Sequence, residues 1–269
     1  MPVNDDSFGH RTRTQKHGDT PIFGAWLTVN SPSLLELLAT SELGYVGIDC
    51  QHGMISERDA AAMLVRSAPA GAGRLVRVSR NDPAHIGVVL DAGADGVIVP
   101  TVNSAAEARA MVTAARFPPL GQRSFGPTAS YLPHDPGQLD NRALVLPMIE
   151  TAEGVGNLGE ILAVDGVDGV YVGPADLGLA LGHGSAQFPP TAELRQVMVD
   201  IAAAAAAAGK VAGAHAGSEH FAQIYRQLGF GMITLGTQSA FLTAGIADVW
   251  ARVTTFSVSV TPAANGSPY

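Results

Sequence analysis

Short apolar runs alternate along the chain with longer segments of helical periodicity. Eight such runs, most of them rich in β-branched residues, predict strands at residues 22–28, 45–50, 74–79, 96–102, 143–150, 169–173, 210–216 and 231–237. Most are apolar at consecutive positions, which is typical of parallel strands buried on both faces. The intervening pattern predicts helices at residues 32–42, 57–67, 83–92, 104–115, 153–163, 192–208, 218–228 and 239–252.

This alternation predicts an α/β fold. Eight strand–helix units in 269 residues match a single-domain (β/α)8 TIM barrel, a fold of about 250 residues. An open doubly wound sheet is the alternative, but its G-x-G-x-x-G turn is missing, since the first strand runs into "TVNSPS". We expect the barrel to span residues 21–253, after a flexible polar N-terminal arm at 1–20 and before a C-terminal tail at 254–269.

Composition narrows the class of partner and the compartment. The net charge of −8 argues against binding a nucleic-acid backbone, and no apolar run is long enough to cross a membrane. The single cysteine, Cys50, excludes an internal disulfide and fits a reducing compartment, while residues 1–20 lack the apolar segment of a secretory signal. We therefore expect a cytoplasmic protein that acts on small molecules.

The chemistry of such barrels lies at the C-terminal ends of their strands. In this sequence those ends carry the polar or aromatic side chains of Trp26, Asp49, Gln51, His52, Arg77, Thr101, Glu150, Asp176, His215, Thr237 and Gln238. Together they predict a polar mouth on an apolar scaffold. Lysine is missing from it, because Lys16 lies in the arm and Lys210 begins the seventh strand, so Schiff-base chemistry is disfavoured.

Glu150 and Asp176 follow neighbouring predicted strands, so their carboxylates are expected to lie close together. Two like charges at short distance lead either to a raised pKa or to a bound cation, and a hard divalent ion needs only one or two protein carboxylates. The alternative is structural, with Asp176 capping the next helix and Glu150 paired with an arginine. The spacing alone leaves both interpretations open.

Asp49 and His52 lie three residues apart after the second strand, a spacing that lets an acid fix the tautomer of a histidine base. A surface histidine in a turn is the simpler alternative. Arg77 lies inside an apolar run, where a charge must be paired, either in a structural ion pair or in the site.

Three further side chains have two interpretations each. Trp26 is either core packing or a wall for the substrate, and His215 is either a ligand or a polar residue at a strand end. Cys50 adjoins Asp49, but a small buried apolar side chain is the simpler interpretation than a reactive thiol. The connection 117–142, after the fourth strand and its helix, has the length of a functional segment or lid.

Four stretches carry a resemblance to a known family: "GIDCQHG", "LVRVSRNDP", "VLPMIETAEGVGNL" and "GVDGVYVGPADLGLALG". Together they resemble the HpcH/HpaI family of class II, metal-dependent pyruvate aldolases, which includes 4-hydroxy-2-oxoheptanedioate and 2-keto-3-deoxy-sugar-acid aldolases. The resemblance extends over roughly residues 20–250. Three motifs follow one another in the order I-D-x-x-H, E-T and G-P-A-D. Their combination in this order is specific for the family.

The resemblance implies a divalent metal, Mg²⁺, Mn²⁺ or Co²⁺, held by Glu150 and Asp176, and no organic cofactor. It also implies that backbone N–H groups of Ala175 and Asp176 bind the substrate carboxylate, as a strand-to-helix turn can. Met148 replaces a glutamine of the better-known members, so one hydrogen bond to the keto acid is expected to be lost or replaced by water.

For proton transfer, the resemblance implies His52 as the base, assisted by Asp49, with Arg77 stabilising the developing charge. Asp91 matches an acid of a neighbouring subunit that supports this histidine. The segment departs from the family's I-D-x-E-H at Gln51, and the long connection reads "RSFGPTASY" instead of the commoner Gly-Val-Gly form. We therefore expect a substrate preference that differs from that of the named members.

Family members are commonly hexamers, trimers of dimers with exchanged C-terminal helices, so the resemblance implies a homohexamer. The last predicted helix fits this, because one apolar face carries Phe241, Leu242, Ile246, Val249 and Trp250. We expect that face to pack on a neighbouring subunit.

The sequence therefore predicts a reversible aldolase, a carbon–carbon lyase. It would cleave 4-hydroxy-2-oxo acids to an aldehyde and pyruvate, or a related 2-oxo acid such as hydroxypyruvate, through an enolate stabilised by the metal. A related lyase or an oxaloacetate decarboxylase that uses the same enolate is the alternative. A non-catalytic barrel that binds a keto acid is a further one.

Overall fold

The computed structural model of the chain describes residues 7–15, 20–67, 71–184 and 191–255. Eight parallel strands form a closed barrel in which each strand pairs with the next and the last pairs with the first. The strands are β1 (Ile22–Leu27), β2 (Tyr45–Asp49), β3 (Gly73–Arg77), β4 (Gly96–Val99), β5 (Leu144–Ile149), β6 (Gly169–Val172), β7 (Val211–His215) and β8 (Met232–Thr237). The predicted (β/α)8 TIM barrel is confirmed, and each predicted strand is present.

The helices of the described residues are α1 (Phe8–Thr14), α2 (Pro32–Ala39), α3 (Glu57–Arg66), α4 (Pro83–Asp91), α5 (Ala105–Ala115), α6 (Pro136–Arg142), α7 (Ala152–Gly156), α8 (Leu158–Leu162), α9 (Pro174–Ala180), α10 (Ala192–Ala207), α11 (Glu219–Gln227) and α12 (Gln238–Thr254). The helix predicted at 153–163 is two helices, α7 and α8, that meet at Asn157. The sequence pattern missed α1, α6 and α9, because seven residues are too few for a clear helical period.

Polar caps fix where the helices begin. The side chain of Ser31 accepts a hydrogen bond from the backbone N–H of Leu34, and Ser56 forms a capping box with Asp59. Asp82 caps α4, whose first residue is a proline. These caps lie between each strand and the helix that follows it, so they also hold the loops at the C-terminal ends of the strands.

Aromatic side chains fill the inside of the barrel, where glycines on neighbouring strands leave room for them. A Cβ atom on Gly47 would lie 2.3 Å from the Trp26 ring, and one on Gly213 would lie 2.6 Å from the Tyr171 ring. The two rings stack with centroids 5.7 Å apart. Glycine at these positions therefore lets two large rings form a floor beneath the C-terminal ends of the strands.

The N-terminal arm differs from its prediction. Phe8 of α1 is only 5% exposed, and its ring lies 6.4 Å from the Tyr45 ring and next to Gly73, at the start of β3. Arg13 of the same helix pairs with Asp168 at 2.6 Å. α1 thus covers the N-terminal end of the barrel, and the prediction of a flexible arm is wrong for these residues because an aromatic anchor and an ion pair hold them.

Buried ion pairs gather at the same end of the barrel. Arg116 and Arg13 of α1 both pair with the carboxylate of Asp168. Arg142 pairs with Asp95, which lies just before β4. The long connection 117–142 lies here as well, since it joins the end of α5 to the start of β5. Within one chain, this connection is therefore no lid over the C-terminal ends of the strands, which was one of the two interpretations of its length.

The chain divides into two units, Met1–Thr237 with the barrel and Gln238–Tyr269 with α12. α12 exposes large apolar side chains at Phe241, Leu242, Ile246, Val249, Trp250 and Val253. Among the described residues, no helix is long and apolar enough to cross a membrane. The remainder of the predicted tail, residues 256–269, and the arm residues 1–6 and 16–19 lie outside the described part of the chain.

Candidate active site

A cavity of about 230 Å³ opens at the C-terminal ends of the barrel strands. Its lining consists of Trp26, Thr28, Asp49, His52, Arg77, Met148, Tyr171, Gly173, Pro174, Ala175, Asp176, His215 and Thr237. Of the residues predicted to have a catalytic, substrate-binding or metal-binding role, all lie in this lining except Glu150 and Asp91. Of the other polar residues predicted at the strand ends, Gln51, Thr101 and Gln238 are not part of the lining. Glu150 adjoins it, because a Cβ atom on Gly173 would lie 2.7 Å from Glu150 Oε2.

A larger cavity, about 500 Å³, lies at the opposite end, where β7 and β8 begin. Two of its three cationic side chains have partners: Arg13 binds Asp168, and the Lys210 Nζ group donates to the carbonyl oxygens of Leu162 and Val164. The third is Arg226, and the described lining contains no carboxylate or histidine beside it. Lys210 thus lies away from the strand ends, as predicted, and Lys16 falls outside the described residues. The chemistry therefore concentrates in the smaller cavity.

Glu150, directly after β5, presents one carboxylate oxygen without a protein partner. Its Oε1 atom accepts hydrogen bonds from the backbone N–H of Thr101 at 2.7 Å and from Thr101 Oγ1 at 3.0 Å. Its Oε2 atom is buried and has no hydrogen-bond partner among the described residues. Burial raises the pKa of Glu150, and the negative charge of Asp176 raises it further, against the opposing effect of the Thr101 hydrogen bonds. A buried carboxylate oxygen without a hydrogen-bond partner is energetically costly, and a bound cation would compensate for that cost.

The backbone of Thr101 is strained. Its φ of 53° lies in the left-handed region, which β-branched residues rarely adopt, and no other non-glycine residue in the described ranges has a positive φ. Both hydrogen bonds from Thr101 go to the same oxygen of Glu150, so this turn after β4 fixes the direction of the carboxylate. The sequence shows Thr101 as a strand-end residue but carries no signal for the strain.

Asp176 lies in the first turn of α9, which follows β6. The N-cap of α9 is Gly173 and makes no side-chain capping bond, so Asp176 is not the helix cap that the structural alternative required. Its side chain is exposed at the cavity and interacts electrostatically with Glu150. The first turn also leaves the backbone N–H groups of Ala175 and Asp176 without partners inside the helix. The turn thus supplies a carboxylate and two donors to one end of the cavity.

Asp49 and Arg77 form a bidentate ion pair. Arg77 Nε donates to Asp49 Oδ1 at 2.8 Å, and Nη2 donates to Oδ2 at 2.6 Å. Burial raises the pKa of Asp49, but the arginine and the backbone N–H of His52 outweigh it and hold that pKa below its usual value. The predicted acid–histidine dyad is therefore wrong in its contact: within the described chain, Asp49 binds the backbone N–H groups of Gln51 and His52, at 3.0 and 3.2 Å, and not the His52 ring.

Arg77 lies between its acid and an aromatic face. Its Cζ atom is 5.3 Å from the centroid of the Trp26 ring, a cation–π arrangement, so Trp26 is both packing and cavity wall. The Nη1 group of Arg77 has no hydrogen-bond partner among the described residues, which leaves its two N–H donors for a bound anion. His52 is exposed at the rim of the same cavity, where its ring can exchange a proton with a ligand.

A chain of hydroxyl groups supports the floor from below. Tyr171 Oη lies 2.6 Å from Thr234 Oγ1, which in turn lies 2.8 Å from Tyr45 Oη. Burial raises the pKa of Tyr171 to about 12, so its phenol is neutral and serves as a hydrogen-bonding group. The sequence analysis missed this network because its three hydroxyl groups come from three different strands. The pattern within one strand does not show which side chains of other strands it contacts.

His215 ends β7 and completes the wall. Its ring meets Trp26 edge to face, with centroids 5.6 Å apart and planes at 78°. Burial and the positive charge of Arg77 lower the pKa of His215 to about 4, so the imidazole is neutral at neutral pH. No group of three or more His, Cys, Asp or Glu side chains suited to a metal occurs in the described residues, so His215 does not form such a group with the two acids.

Asp91 is not part of this cavity within one chain. It ends α4, near the N-terminal ends of the strands, and pairs with Arg123 Nη2 at 2.6 Å. Its role across a subunit boundary stays a prediction. Cys50 is buried, and burial raises the pKa of its thiol, in line with the interpretation as an unreactive apolar side chain.

The chain has relatives among known enzymes. The family model described as HpcH/HpaI aldolase/citrate lyase matches residues 23–243. The hydroxypyruvate/pyruvate aldolase of Rhizorhabdus wittichii is 38% identical over 89% of this chain and 97% of that protein. The 4-hydroxy-2-oxo-heptane-1,7-dioate aldolase of Klebsiella pneumoniae is 36% identical over 87% of this chain and 90% of that protein. The solved structure of an HpcH/HpaI aldolase/citrate lyase family protein from Burkholderia cenocepacia superposes with a TM-score of 0.81, at 29% identity, over 92% of this chain and 98% of that one.

Proposed function

Because the chain belongs to the HpcH/HpaI aldolase/citrate lyase family, we propose that it is a divalent-metal-dependent aldolase of 4-hydroxy-2-oxo acids. The products are an aldehyde and pyruvate, or a related 2-oxo acid such as hydroxypyruvate. The observation that carries the proposal is the buried, unpaired Oε2 atom of Glu150 beside Asp176, at a cavity that also holds an arginine and a histidine. Two relatives named as aldolases for such substrates support the same reaction.

The donor set of Glu150 and Asp176 fits a hard divalent cation such as Mg²⁺, Mn²⁺ or Co²⁺. Carboxylate oxygens are the ligands that such ions prefer, and Glu150 Oε2 has no other partner within the described chain. Gly173 keeps the space before that oxygen clear, since a Cβ atom there would lie 2.7 Å from it. When bound, the ion would act as a Lewis acid that polarises the keto group of the substrate.

The remaining groups bind and orient the 2-oxo acid. The backbone N–H groups of Ala175 and Asp176 donate to its carboxylate at the start of α9. Arg77 Nη1 donates to the keto oxygen and offsets the negative charge that develops there, while Asp49 keeps the guanidinium aligned. Met148 and Trp26 supply apolar walls that exclude water from the reacting carbons.

His52 moves the proton. In cleavage it accepts the proton of the 4-hydroxyl group as general base. The C3–C4 bond then breaks, its electron pair passes to the oxo-acid fragment, and the aldehyde leaves. Protonation of C3 gives the free 2-oxo acid. Asp49 contributes by fixing the backbone of His52, which holds the imidazole at the rim of the cavity.

The rate of pyruvate release, measured by coupling to lactate dehydrogenase, tests this function. Protein treated with EDTA should be inactive on 4-hydroxy-2-oxo acids, and Mg²⁺, Mn²⁺ or Co²⁺ should restore turnover. Oxaloacetate in a parallel reaction tests the decarboxylase alternative. Full activity without divalent ions, or metal-dependent turnover of oxaloacetate alone, would overturn the proposal.

His52→Ala separates proton transfer from metal binding in the same assay. Loss of a general base lowers kcat by about 100- to 10,000-fold, while the affinity for Mn²⁺ should stay at the wild-type value. His220→Ala, an exposed histidine outside the cavity lining, is the matched control. Parallel losses of metal affinity and turnover in His52→Ala would instead make His52 a ligand.

A further inference from the structure

His215 lines the cavity but has no part in the proposed reaction. Its ring touches Trp26 edge to face, at a centroid distance of 5.6 Å. Neither of its ring nitrogens has a hydrogen-bond partner among the described residues, and neither is sealed from the cavity. A polar side chain therefore faces the substrate space with its hydrogen-bonding capacity unused.

The register of β7 directs this side chain inward. Gly213 and His215 lie on the same face of the strand, because side chains alternate, and Gly213 faces the Tyr171 ring inside the barrel. β7 pairs with β6, and β6 leads into the turn that carries Asp176. His215 thus stands one strand away from Asp176 and two strands away from Glu150, on the wall of the same cavity.

The chemistry of this part of the wall suits an alcohol. At neutral pH the imidazole of His215 is uncharged, with one donor and one acceptor nitrogen, which matches a hydroxyl group. In the described lining Arg77 is the only arginine or lysine, and Asp49 already neutralises it. No further fixed cation is therefore present there to balance a second carboxylate on the substrate.

We propose that His215 is a specificity-determining residue that hydrogen-bonds a hydroxyl group on the carbon chain of the substrate. Hydroxylated substrates are then preferred over their deoxy counterparts. This inference rests on the proposed aldolase function. The hydroxyl belongs either to the 2-oxo acid, as in hydroxypyruvate, or to the aldehyde, as in glycolaldehyde, and two arms of one experiment distinguish these sources.

The experiment compares matched substrate pairs in wild type and His215→Leu. Hydroxypyruvate and pyruvate are compared with one acceptor aldehyde, and glycolaldehyde and acetaldehyde with one 2-oxo acid. Leucine removes both ring nitrogens and keeps an apolar wall. In one of the pairs, kcat/KM should fall about 10- to 100-fold more for the hydroxylated member than for the deoxy member, since a desolvated hydroxyl loses its partner.

Two further variants isolate the hydrogen bond. His215→Gln keeps a donor and an acceptor and should recover part of the lost preference. His220→Leu makes the same change at an exposed histidine outside the cavity lining and should keep the wild-type preference in both pairs. In wild type the preference should stay constant from about pH 6 to about pH 8, because the ring is uncharged throughout.

An unchanged preference in both pairs, in a variant that still turns over, would overturn the inference. Equal losses for both members of each pair would overturn it too, because they indicate a structural role. Calorimetric titration of hydroxypyruvate and pyruvate into protein with saturating Mg²⁺ tests the 2-oxo acid arm without turnover. If the proposed aldolase function is wrong, the wild-type protein will not turn over these substrates. If only the role of His215 is wrong, the wild-type protein will turn over, and the substitution will leave the preference for hydroxylated substrates unchanged in binding and in kinetics.

Discussion

Two charged side chains of the site, Arg77 and Glu150, each have a fixed partner for one part and an open position for another. Asp49 holds Arg77 through Nε and Nη2 and leaves Nη1 available. Thr101 holds Oε1 of Glu150 and leaves Oε2 unpaired. Fixed partners remove the entropy of ordering these groups when a ligand binds, and the open atoms provide the binding energy.

The ion pair of Asp49 also stabilises the fold, which Asp49→Asn tests. The variant should lose about 3 kcal/mol of unfolding free energy at neutral pH, because it leaves the buried Arg77 guanidinium without a counter-charge. The pKa of Asp49 is lowered in the folded protein. Its stabilising contribution is therefore complete above the pKa of an unfolded aspartate, about 3.9, and is lost as the pH falls through the lower folded value.

Urea unfolding of wild type and Asp49→Asn between about pH 7 and about pH 3 measures this contribution. The gap between the two proteins should stay constant down to about pH 4 and narrow below it. Asp200→Asn, an exposed position on α10, is the control and should match wild type throughout. A gap that widens as the solution is acidified would contradict the ion-pair explanation.

The sequence identified most of these residues but not their partners. Strand ends are visible in the apolar pattern, so the pattern alone assigns Asp49, Arg77, Glu150 and Asp176 to one mouth. Asp49 nevertheless binds an arginine instead of the histidine ring, because the choice depends on distances between strands that spacing within one strand does not specify. The left-handed backbone at Thr101 is set by tertiary contacts and leaves no signal in the sequence either.

At the scale of elements, the turn from β6 into α9 brings the acid pair together. Gly173 lies between Glu150 and the start of α9, where it makes room for the carboxylate. Its φ of −95° and ψ of 92° are accessible to alanine, so only space requires glycine at this position. The close packing at the start of α9 therefore determines where the carboxylate of Glu150 lies in the proposed metal site.

Gly173→Ala tests this coupling. The new Cβ atom would meet Glu150 Oε2 at 2.7 Å and Met148 Cε at 2.8 Å, so the carboxylate must move. Mn²⁺ affinity, measured by calorimetric titration, should fall by about 10-fold or more, with a stability loss of about 1 to 3 kcal/mol from overpacking. Gly159→Ala, where no atom lies within 4 Å of the new Cβ, should keep the wild-type affinity. An unchanged affinity in Gly173→Ala would show that this oxygen does not bind the ion.

The strands and the longer helices are predictable from the sequence, and the seven-residue helices α1, α6 and α9 are not. The eight strands and the longer helices follow from apolar runs and 3.6-residue periodicity, and caps such as Ser56 with Asp59 mark helix starts. The polar composition of α1 predicts a loose arm, although Phe8 and Arg13 anchor the helix through contacts far along the chain. Such contacts depend on the assembled barrel and leave no local signal.

At the scale of the whole chain, the two ends of the barrel have different roles. The N-terminal ends of the strands carry α1 and the ion pairs of Asp168 and Asp95, which stabilise the fold. The C-terminal ends carry the cavity, the unpaired carboxylate oxygen and the strained Thr101. Changes at the first end should therefore lower stability without touching the site. Changes at the second should lower activity, and they should lower stability as well only where they break buried packing or the Asp49–Arg77 ion pair.

We also propose that the chain assembles into a homo-oligomer, with a hexamer as the expected state, through the apolar face of α12. Trp250 is 70% exposed and Ile246 is 68% exposed, four positions apart on one side of the helix. Ile246→Glu combined with Trp250→Glu should dissociate the assembly in sedimentation velocity. Ala251→Glu, on the other side of the helix, should leave it intact. A monodisperse monomer of the wild-type chain at micromolar concentration would contradict this proposal.

The most direct test of the metal-dependent mechanism is Asp176→Asn, measured on one sample by Mn²⁺ titration and by aldol cleavage. The variant keeps the shape of the side chain but removes one of the two charges, so Mn²⁺ affinity should fall at least about 100-fold and turnover should vanish. The melting temperature of the metal-free protein should stay equal or rise, because the repulsion between the two acids is relieved. Asp165→Asn, an exposed position, should retain both properties. Wild-type Mn²⁺ affinity and turnover in Asp176→Asn would contradict the metal site.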